Sequence, residues 1–193
     1  LLPEDWDHFE PMMMNALHRL PALENAEVKM LLNGPESFTP DGTFMLGETA
    51  ETRGLYLGCG MNSVGIACGG GAGMNLANLI VHGHTAYDLS EADAKRFSPI
   101  YNSLDHLMAR APEILGTHYD IAYPGKQLST ARDLRKLQLH EAYIAAKAHF
   151  GQFYGWERPL YFGKTREPNL TFDHPDWFDN VKSEVMAANT TAA

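Results

Sequence analysis

Residues 58–73 read Gly58-Cys59-Gly60-Met61-Asn62-Ser63-Val64-Gly65-Ile66-Ala67-Cys68-Gly69-Gly70-Gly71-Ala72-Gly73. The apolar triplet Leu55-Tyr56-Leu57 leads into this run, and helix-forming residues follow it. A strand, a glycine-rich turn and a helix start, in that order, gather free backbone N–H groups and the positive end of a helix dipole at one spot. Glycine lets another molecule approach that backbone closely. The spacing is not that of a dinucleotide turn. After Gly58 and Gly60 the next glycine is Gly65, and no acidic residue ends a strand about 20 residues later, as a ribose contact requires. A pyrophosphate is therefore a poor match. The electron-rich edge of a ring fits better, and the pyrimidine edge of a flavin, which gains negative charge on reduction, is such a partner. A plainer alternative stays open: Gly65, Gly69 and Gly73 can simply seat a helix on a sheet with no ligand.

Other residues with chemical potential are weaker candidates. His82 and His84 could begin a metal site, but a site needs three or four ligands and no third stands at a plausible spacing, so a surface pair is expected. Met12-Met13-Met14 cannot share one helix face, and partial core packing is the simpler reading. Cys68 near a helix start has no histidine or acid nearby in sequence to make it a nucleophile. Arg132, Arg135 and Lys136 form a basic patch, read as a solvated face or an interface contact. Trp156-Glu157-Arg158 reads as a structural corner made of an aromatic anchor and an ion pair. No catalytic residue and no metal site is assigned.

The elements that must position these groups follow from periodicity and turn residues. Residues 5–19 carry Trp6, Phe9, Met13 and Leu17 at helical spacing, and Pro21 ends the pattern. Val28 to Leu32 suits a buried strand, Thr39-Pro40-Asp41-Gly42 a tight turn, and Phe44-Met45-Leu46 and Leu55-Tyr56-Leu57 two short strands. Residues 66–82 form a helix closed by Gly83. Near residue 88 glycine thins out and charged helical stretches begin, which marks a domain boundary whose two sides should bury separate cores. Beyond it, Ser90 caps a short helix with Asp93 in the capping-box position. Residues 102–111 form a helix before Pro112 opens a new turn, and Tyr123 to Thr130 is a loop. Leu139 to Phe150 is helical and ends at Gly151 and Gly155. A last helix starts at Asp173 to Pro175 with Trp177, Val181 and Val185 on one side, and Asn189 to Ala193 is a tail.

With 193 residues, 45% apolar and 20% charged, the chain is globular rather than disordered. A net charge of −9 disfavours nucleic acid as a partner. No apolar run approaches the ~20 residues of a membrane helix. The start, Leu1-Leu2-Pro3-Glu4-Asp5, is not a signal peptide and lacks an initiating methionine, so a cut or processed chain is expected. Two cysteines, Cys59 and Cys68, make no disulfide framework, which fits a reducing compartment with both thiols buried.

Several blocks together resemble one family. They are Asn33-Gly34-Pro35-Glu36-Ser37-Phe38-Thr39-Pro40-Asp41-Gly42, Leu46-Gly47-Glu48, and Gly60-Met61-Asn62-Ser63 with Gly65-Ile66, Gly70 and Gly73. They resemble, in order and spacing, the end of the flavin domain of dimethylglycine and sarcosine dehydrogenases. Asp88 to Thr130, with Asp88-Leu89 and Arg96-Phe97, is similar to the small central domain of those enzymes. Phe150-Gly151, Gly155-Trp156-Glu157-Arg158-Pro159 and Pro175-Asp176-Trp177-Phe178 resemble the opening of a folate-binding domain related to the glycine-cleavage T-protein. The resemblance implies an α+β fold in three parts. Residues 1–87 would end an FAD-binding domain of the D-amino-acid-oxidase type, 88–138 would be a mixed connecting domain, and 139–193 would begin the T-protein-like domain.

It also implies that Asn62, Ser63, Val64, Gly65 and Ile66 meet the flavin ring. The pyrophosphate glycines, the flavin-linking histidine and the substrate-side Tyr and His would lie upstream, and the folate-binding carboxylate downstream. The expected parent oxidises an N-methyl group of dimethylglycine or sarcosine with FAD and passes the one-carbon unit to tetrahydrofolate. Electron-transfer flavoprotein or oxygen would take the electrons. A non-catalytic regulatory relative is the alternative. The chain itself is expected to be an internal fragment, inactive alone, whose partner is the rest of the parent chain or a complementary subunit. The expected compartment is the bacterial cytoplasm or, second, the mitochondrial matrix.

Overall fold

A computed structural model describes residues 2–163 and 169–191. The chain divides into two compact units, residues 1–37 and 38–193.

In the first unit, helix α1 spans Trp6–Arg19. Asp5 caps it by accepting a hydrogen bond from the His8 N–H at 2.9 Å. Trp6 and Phe9, one turn apart, meet edge to face with centroids 6.0 Å apart. A 3-10 turn, Pro21–Asn25, follows. The return segment is anchored where Leu2 bridges Asn33 and the Asn33 amide donates to the Pro3 carbonyl at 2.8 Å. Val28 to Leu32 is not a strand. Among the described residues it belongs to no strand, and Val28, Met30 and Leu32 are exposed. The short apolar run suits a buried strand, but no ladder partner is present among the described residues of this unit, and a strand exists only by pairing.

The second unit begins with a two-stranded antiparallel sheet, β1 (Met45–Glu48) and β2 (Tyr56–Cys59). Helix α2 runs Gly65–His82 and is closed by Gly83 in the left-handed conformation. Cys59, the last residue of β2, is exposed and Cys68 in α2 is half-buried, so the expectation of two buried thiols is corrected: neither belongs to the buried apolar cluster. The apolar cluster holds Leu46, Ala72 and Ala92, with Phe44, Met61 and Leu89 against it. Leu46 N–H also donates to the Ala92 carbonyl at 2.8 Å. The two sides of residue 88 thus share a core here instead of burying separate ones. The short 3-10 turn Ala94–Arg96 is capped by Asp93, whose carboxylate accepts from the Lys95 N–H, and not by Ser90.

Helix α3 spans Leu104–Thr117 without a break at Pro112. The carbonyl that Pro112 deprives of a partner belongs to Met108, which is 69% exposed, so water can serve it. The inward stripe of α3 is His106, Arg110 and Ile114.

The expected helix over 139–150 is only His140–Ala145, α4. Lys147 then takes φ +61, and the chain becomes a hairpin of β4 (Ala148–Phe153) and β5 (Trp156–Phe162). Tyr154 and Gly155 both have positive φ, as a two-residue hairpin turn requires. Gly155 therefore marks a turn between strands and not a helix end. Pro159 sits at an irregularity in the ladder, where a missing N–H is tolerated. β3 (Arg135–Lys136) adds to β5 in parallel, giving the order β3-β5-β4. Helix α5, Phe178–Thr191, covers most of the segment expected to be a tail; its last two residues lie outside the described ones.

Candidate functional site

The glycine run does form the end of a strand, a turn and a helix start. Gly60, at the end of β2, has φ +64, and Asn62 and Ser63 follow at φ +47 and φ +66. Left-handed backbone on residues with a Cβ costs ~1–3 kcal/mol each and needs support from its surroundings. The support is a buried bracket. Asn62 is 1% exposed and Thr39 4%. Thr39 N–H donates to Asn62 Oδ1 at 2.9 Å, and Asn62 Nδ2 donates to the Gly60 carbonyl at 2.5 Å and to Thr39 Oγ1 at 3.2 Å. One amide side chain thus ties the loop both to itself and to a turn 23 residues earlier in the chain.

That turn is itself held. Thr39 Oγ1 lies 2.8 Å from the Thr43 carbonyl, and Gly42 N–H closes the turn on the Thr39 carbonyl at 3.2 Å. Asp41 accepts from the Thr43 N–H, and across the molecule from Arg96, whose Nε and Nη2 reach the two carboxylate oxygens at 2.7 and 3.0 Å. The Arg96 side chain is 2% exposed and also donates to the Thr43 and Asp93 carbonyls. A bidentate Arg–carboxylate contact of this kind fixes geometry as well as charge. Sequence reading found the Thr39–Gly42 turn but not its partners. The turn residues Thr39-Pro40-Asp41-Gly42 are contiguous, whereas Asn62 and Arg96 lie too far along the chain for any spacing rule.

The five residues expected at a flavin divide into an inner and an outer set. Asn62 is buried, with its side chain turned to Thr39 and Gly60. Val64 and Gly65 are half-buried, Ser63 is exposed, and Ile66 is fully exposed. The first turn of α2 has no side-chain cap. The N–H groups opening a helix have no partner within it, so this end presents donors outward. Gly69, Gly70, Gly71 and Gly73 have open space where a Cβ would stand, so the glycine face of α2 is not packed on a sheet in this structure.

The lesser candidates resolve as follows. His82 and His84 are exposed, with ring centroids 6.3 Å apart, and no metal-holding group of His, Cys, Asp or Glu occurs among the described residues. Met12 and Met14 are exposed. Arg132 is not part of a solvated patch: it grips Glu157, which is 2% exposed, and donates to the Leu128 and Phe150 carbonyls. Glu157 does anchor a corner, but its ion partner is Arg132 and not the adjacent Arg158. Burial pushes the Glu157 carboxyl up; the Arg132 guanidinium and the Asp133 N–H outweigh it and hold it below its ordinary value. At the far end of α2, a cavity of about 480 Å3 is lined by Glu48, Tyr56, Leu79, Asp88, Asp93 and Lys95, among others. Its carboxylates are occupied internally by Gly54 N–H, Ser90 N–H and Lys95.

Two family models match the chain, one after the other. A profile described as FAD dependent oxidoreductase matches residues 2–79, and one described as FAD dependent oxidoreductase central domain matches 82–136. The pyruvate dehydrogenase phosphatase regulatory subunit of Mus musculus is 40% identical over 95% of the chain and 22% of its own length. The 4-methylaminobutanoate oxidase (formaldehyde-forming) of Paenarthrobacter nicotinovorans is 37% identical over 95% of the chain and 23% of its own. Sarcosine dehydrogenase of Mus musculus is 38% identical over 82% of the chain and 17% of its own. The chain spans about a fifth of the length of these relatives. No helix among the described residues is long and apolar enough to cross a membrane. With both profiles in sequence along it and the sarcosine and dimethylglycine dehydrogenases among its relatives, the chain belongs to the FAD-dependent oxidoreductase family of which those dehydrogenases are members.

Proposed function

We propose that the protein containing this stretch oxidises an N-methyl amine of the dimethylglycine or sarcosine class, with FAD as its cofactor. The observation that carries this is the uncapped start of α2, presented outward by a loop whose strained residues are locked from behind. The residues fit a flavin edge: Gly65 and Ile66 open the uncapped first turn of α2, where their backbone N–H groups have no partner within the helix, and Ile66 is fully exposed. FAD would supply hydride acceptance. The chain's own part is to hold that edge with Asn62, Ser63, Val64, Gly65 and Ile66, and to favour negative charge there through the α2 dipole.

Residues 1–87 would close the flavin domain, 88–138 connect, and 139–193 open a folate domain that passes the one-carbon unit to tetrahydrofolate. The remainder of the parent or a complementary subunit would complete the site, and electron-transfer flavoprotein or oxygen would accept the electrons. The favoured compartment is the bacterial cytoplasm, with the mitochondrial matrix second. The test is anaerobic titration of the full-length protein with sarcosine, dimethylglycine and other N-methyl amines while the flavin absorbance is followed. Bleaching by one of them is expected; a flavin-loaded protein that none of them bleaches overturns the substrate class.

A second reading has a specific observation behind it. The 40% identity to the mouse phosphatase regulatory subunit exceeds that to the sarcosine and dimethylglycine dehydrogenases. On this reading the parent is a regulatory relative without dehydrogenase activity. It predicts that the full-length protein co-purifies with a second protein and turns over no N-methyl amine.

A further inference from the structure

The loop is held by a line of contacts that crosses from one family-matched segment to the other. Arg96, in the segment matched by the central-domain profile, holds Asp41; Asp41 and Thr39 share one turn; Thr39 holds Asn62; and Asn62 holds Gly60. Three observations show that the line is tight. The Arg96 side chain, Thr39 and Asn62 are each at least nine-tenths buried. A Cβ on Gly60 would lie 2.6 Å from the Thr39 methyl, so loop and turn are in direct van der Waals contact. Arg96 also lies over the Phe97 ring at 4.2 Å, which fixes the far end of the line. Ser63 and Ile66, in the same loop and the first turn of α2, are exposed by contrast.

We propose that Thr39, Asp41 and Arg96 are positioning residues for the flavin-facing loop, and that the central segment sets the loop's conformation through Arg96. The residues touch no ligand themselves. Thr39 supplies the donor and acceptor that orient the Asn62 amide. Asp41 fixes the turn that carries Thr39, and Arg96 fixes Asp41. The part of this proposal that concerns the flavin rests on the function proposed above; the part that concerns the loop does not.

The experiment uses the full-length protein carrying Thr39→Val, Thr39→Ser, Asp41→Asn or Arg96→Gln. The first readout, made without added flavin, is hydrogen exchange at the hydrogen-bonded amides of Val64 and Cys68, which donate to the Met61 and Val64 carbonyls. Thr39→Val and Arg96→Gln should exchange there ~10-fold faster or more, Thr39→Ser should stay near the parent, and the amides of α3 should be unaffected. The second readout is the visible absorption band and dissociation constant of bound FAD. The same two variants should shift the band and weaken binding ~10-fold, with rescue in Thr39→Ser. If Thr39→Val does not fold, Asp41→Asn, which keeps the side-chain shape, takes its place. Unchanged exchange at Val64 and Cys68 in the folded variants overturns the proposal. So does an unchanged flavin band and affinity where exchange has risen. A parent protein that takes up no flavin at all defeats the flavin reading, and the exchange result alone then decides whether the three residues position the loop.

Discussion

Gly60 and Thr39 stand so close that a Cβ on the glycine would sit 2.6 Å from the threonine Cγ2. Gly60 also has φ +64, so an L side chain there meets both a clash and backbone strain. Gly60→Ala is expected to destabilise the protein by ~1–3 kcal/mol. Thr39→Ser removes the clashing methyl and keeps the hydroxyl, so Gly60→Ala with Thr39→Ser should lose less than the sum of the two single changes. Urea unfolding of the four proteins forms the double-mutant cycle, and strict additivity would show that the contact is not shared.

Gly65 presents a different case. Its φ is not in the left-handed region, and a Cβ there would meet Met61 at 3.4 Å, close to ordinary contact. Gly65→Val should therefore change folding stability by no more than ~1 kcal/mol. Its effect should fall on flavin uptake in the full-length protein, because the branched side chain stands at the exposed helix start. Equal flavin content and equal reduction rate in this variant would remove the loop from the cofactor site.

How far the sequence reveals the fold depends on the range of the interaction. α1, the Thr39 turn, β1, β2 and α2 are all written locally, in helical spacing, turn residues and the closing Gly83. The expected helix over 139–150 overruns into the start of β4 because Ala142, Ile144, Ala145 and Ala146 give a helical signal that stops at Lys147, and a Tyr154-Gly155 turn is a weaker mark than Asn-Gly. Val28 to Leu32 has strand periodicity but no ladder partner. At the candidate site, the uncapped helix start at Gly65 and Ile66 is legible from strand, glycine and helix order. The bracket of Asn62, Thr39, Asp41 and Arg96 was not, because separations of 23 and 55 residues are set by tertiary packing.

Arg132 and Glu157 form a largely buried pair at the centre of a polar core that also holds Arg110 and Gln152. Removing one partner leaves a charge without compensation. Glu157→Ala should cost ~3–5 kcal/mol, whereas a paired apolar replacement, Arg132→Met with Glu157→Leu, should recover much of it. A denaturation midpoint for Glu157→Ala within error of the parent would show that solvent reaches Arg132 easily and that the pair is not structural.

Acid should loosen this region in two stages. His106 is buried, and its pKa is lowered by burial and then by the Arg110 charge, while both ring nitrogens lack a hydrogen-bond partner. Its folded pKa lies below the unfolded one, so its contribution is present above about 6.5 and declines as pH falls below that. Glu113 acts lower. Burial pushes its carboxyl up, but the hydrogen bonds from Ser129 and Thr130 outweigh burial and bring it to about 2 from 4.5. A depressed carboxyl stabilises above its unfolded pKa, so up to ~3 kcal/mol is present above pH 4.5 and lost as pH falls toward 2. Thermal midpoints measured between pH 7 and 2 should show both steps, and Glu113→Gln should flatten only the lower one.

The last prediction concerns the 193-residue chain by itself. Helix α2 is apolar around most of its circumference, yet only Ala72 and Asn75 are buried. Ile66 is fully exposed, Val81 is 72% exposed, and Ile80 and Met74 are more than half exposed. A helix apolar on all sides is normally covered on all sides, so the isolated chain should self-associate through this face. It should also hold FAD weakly and show no dehydrogenase activity. The dinucleotide glycine turn that grips a pyrophosphate is not among these residues. What remains is a ring-edge contact of a few backbone hydrogen bonds worth ~0.5–1.5 kcal/mol each, set against an association cost of ~4–15 kcal/mol. Analytical ultracentrifugation tests the first expectation and fluorescence titration with FAD the second. A monomer at micromolar concentration would mean that α2 folds its apolar face away. Submicromolar FAD affinity, or turnover of sarcosine with an artificial electron acceptor, would mean that this stretch binds more of the cofactor than the edge of its ring.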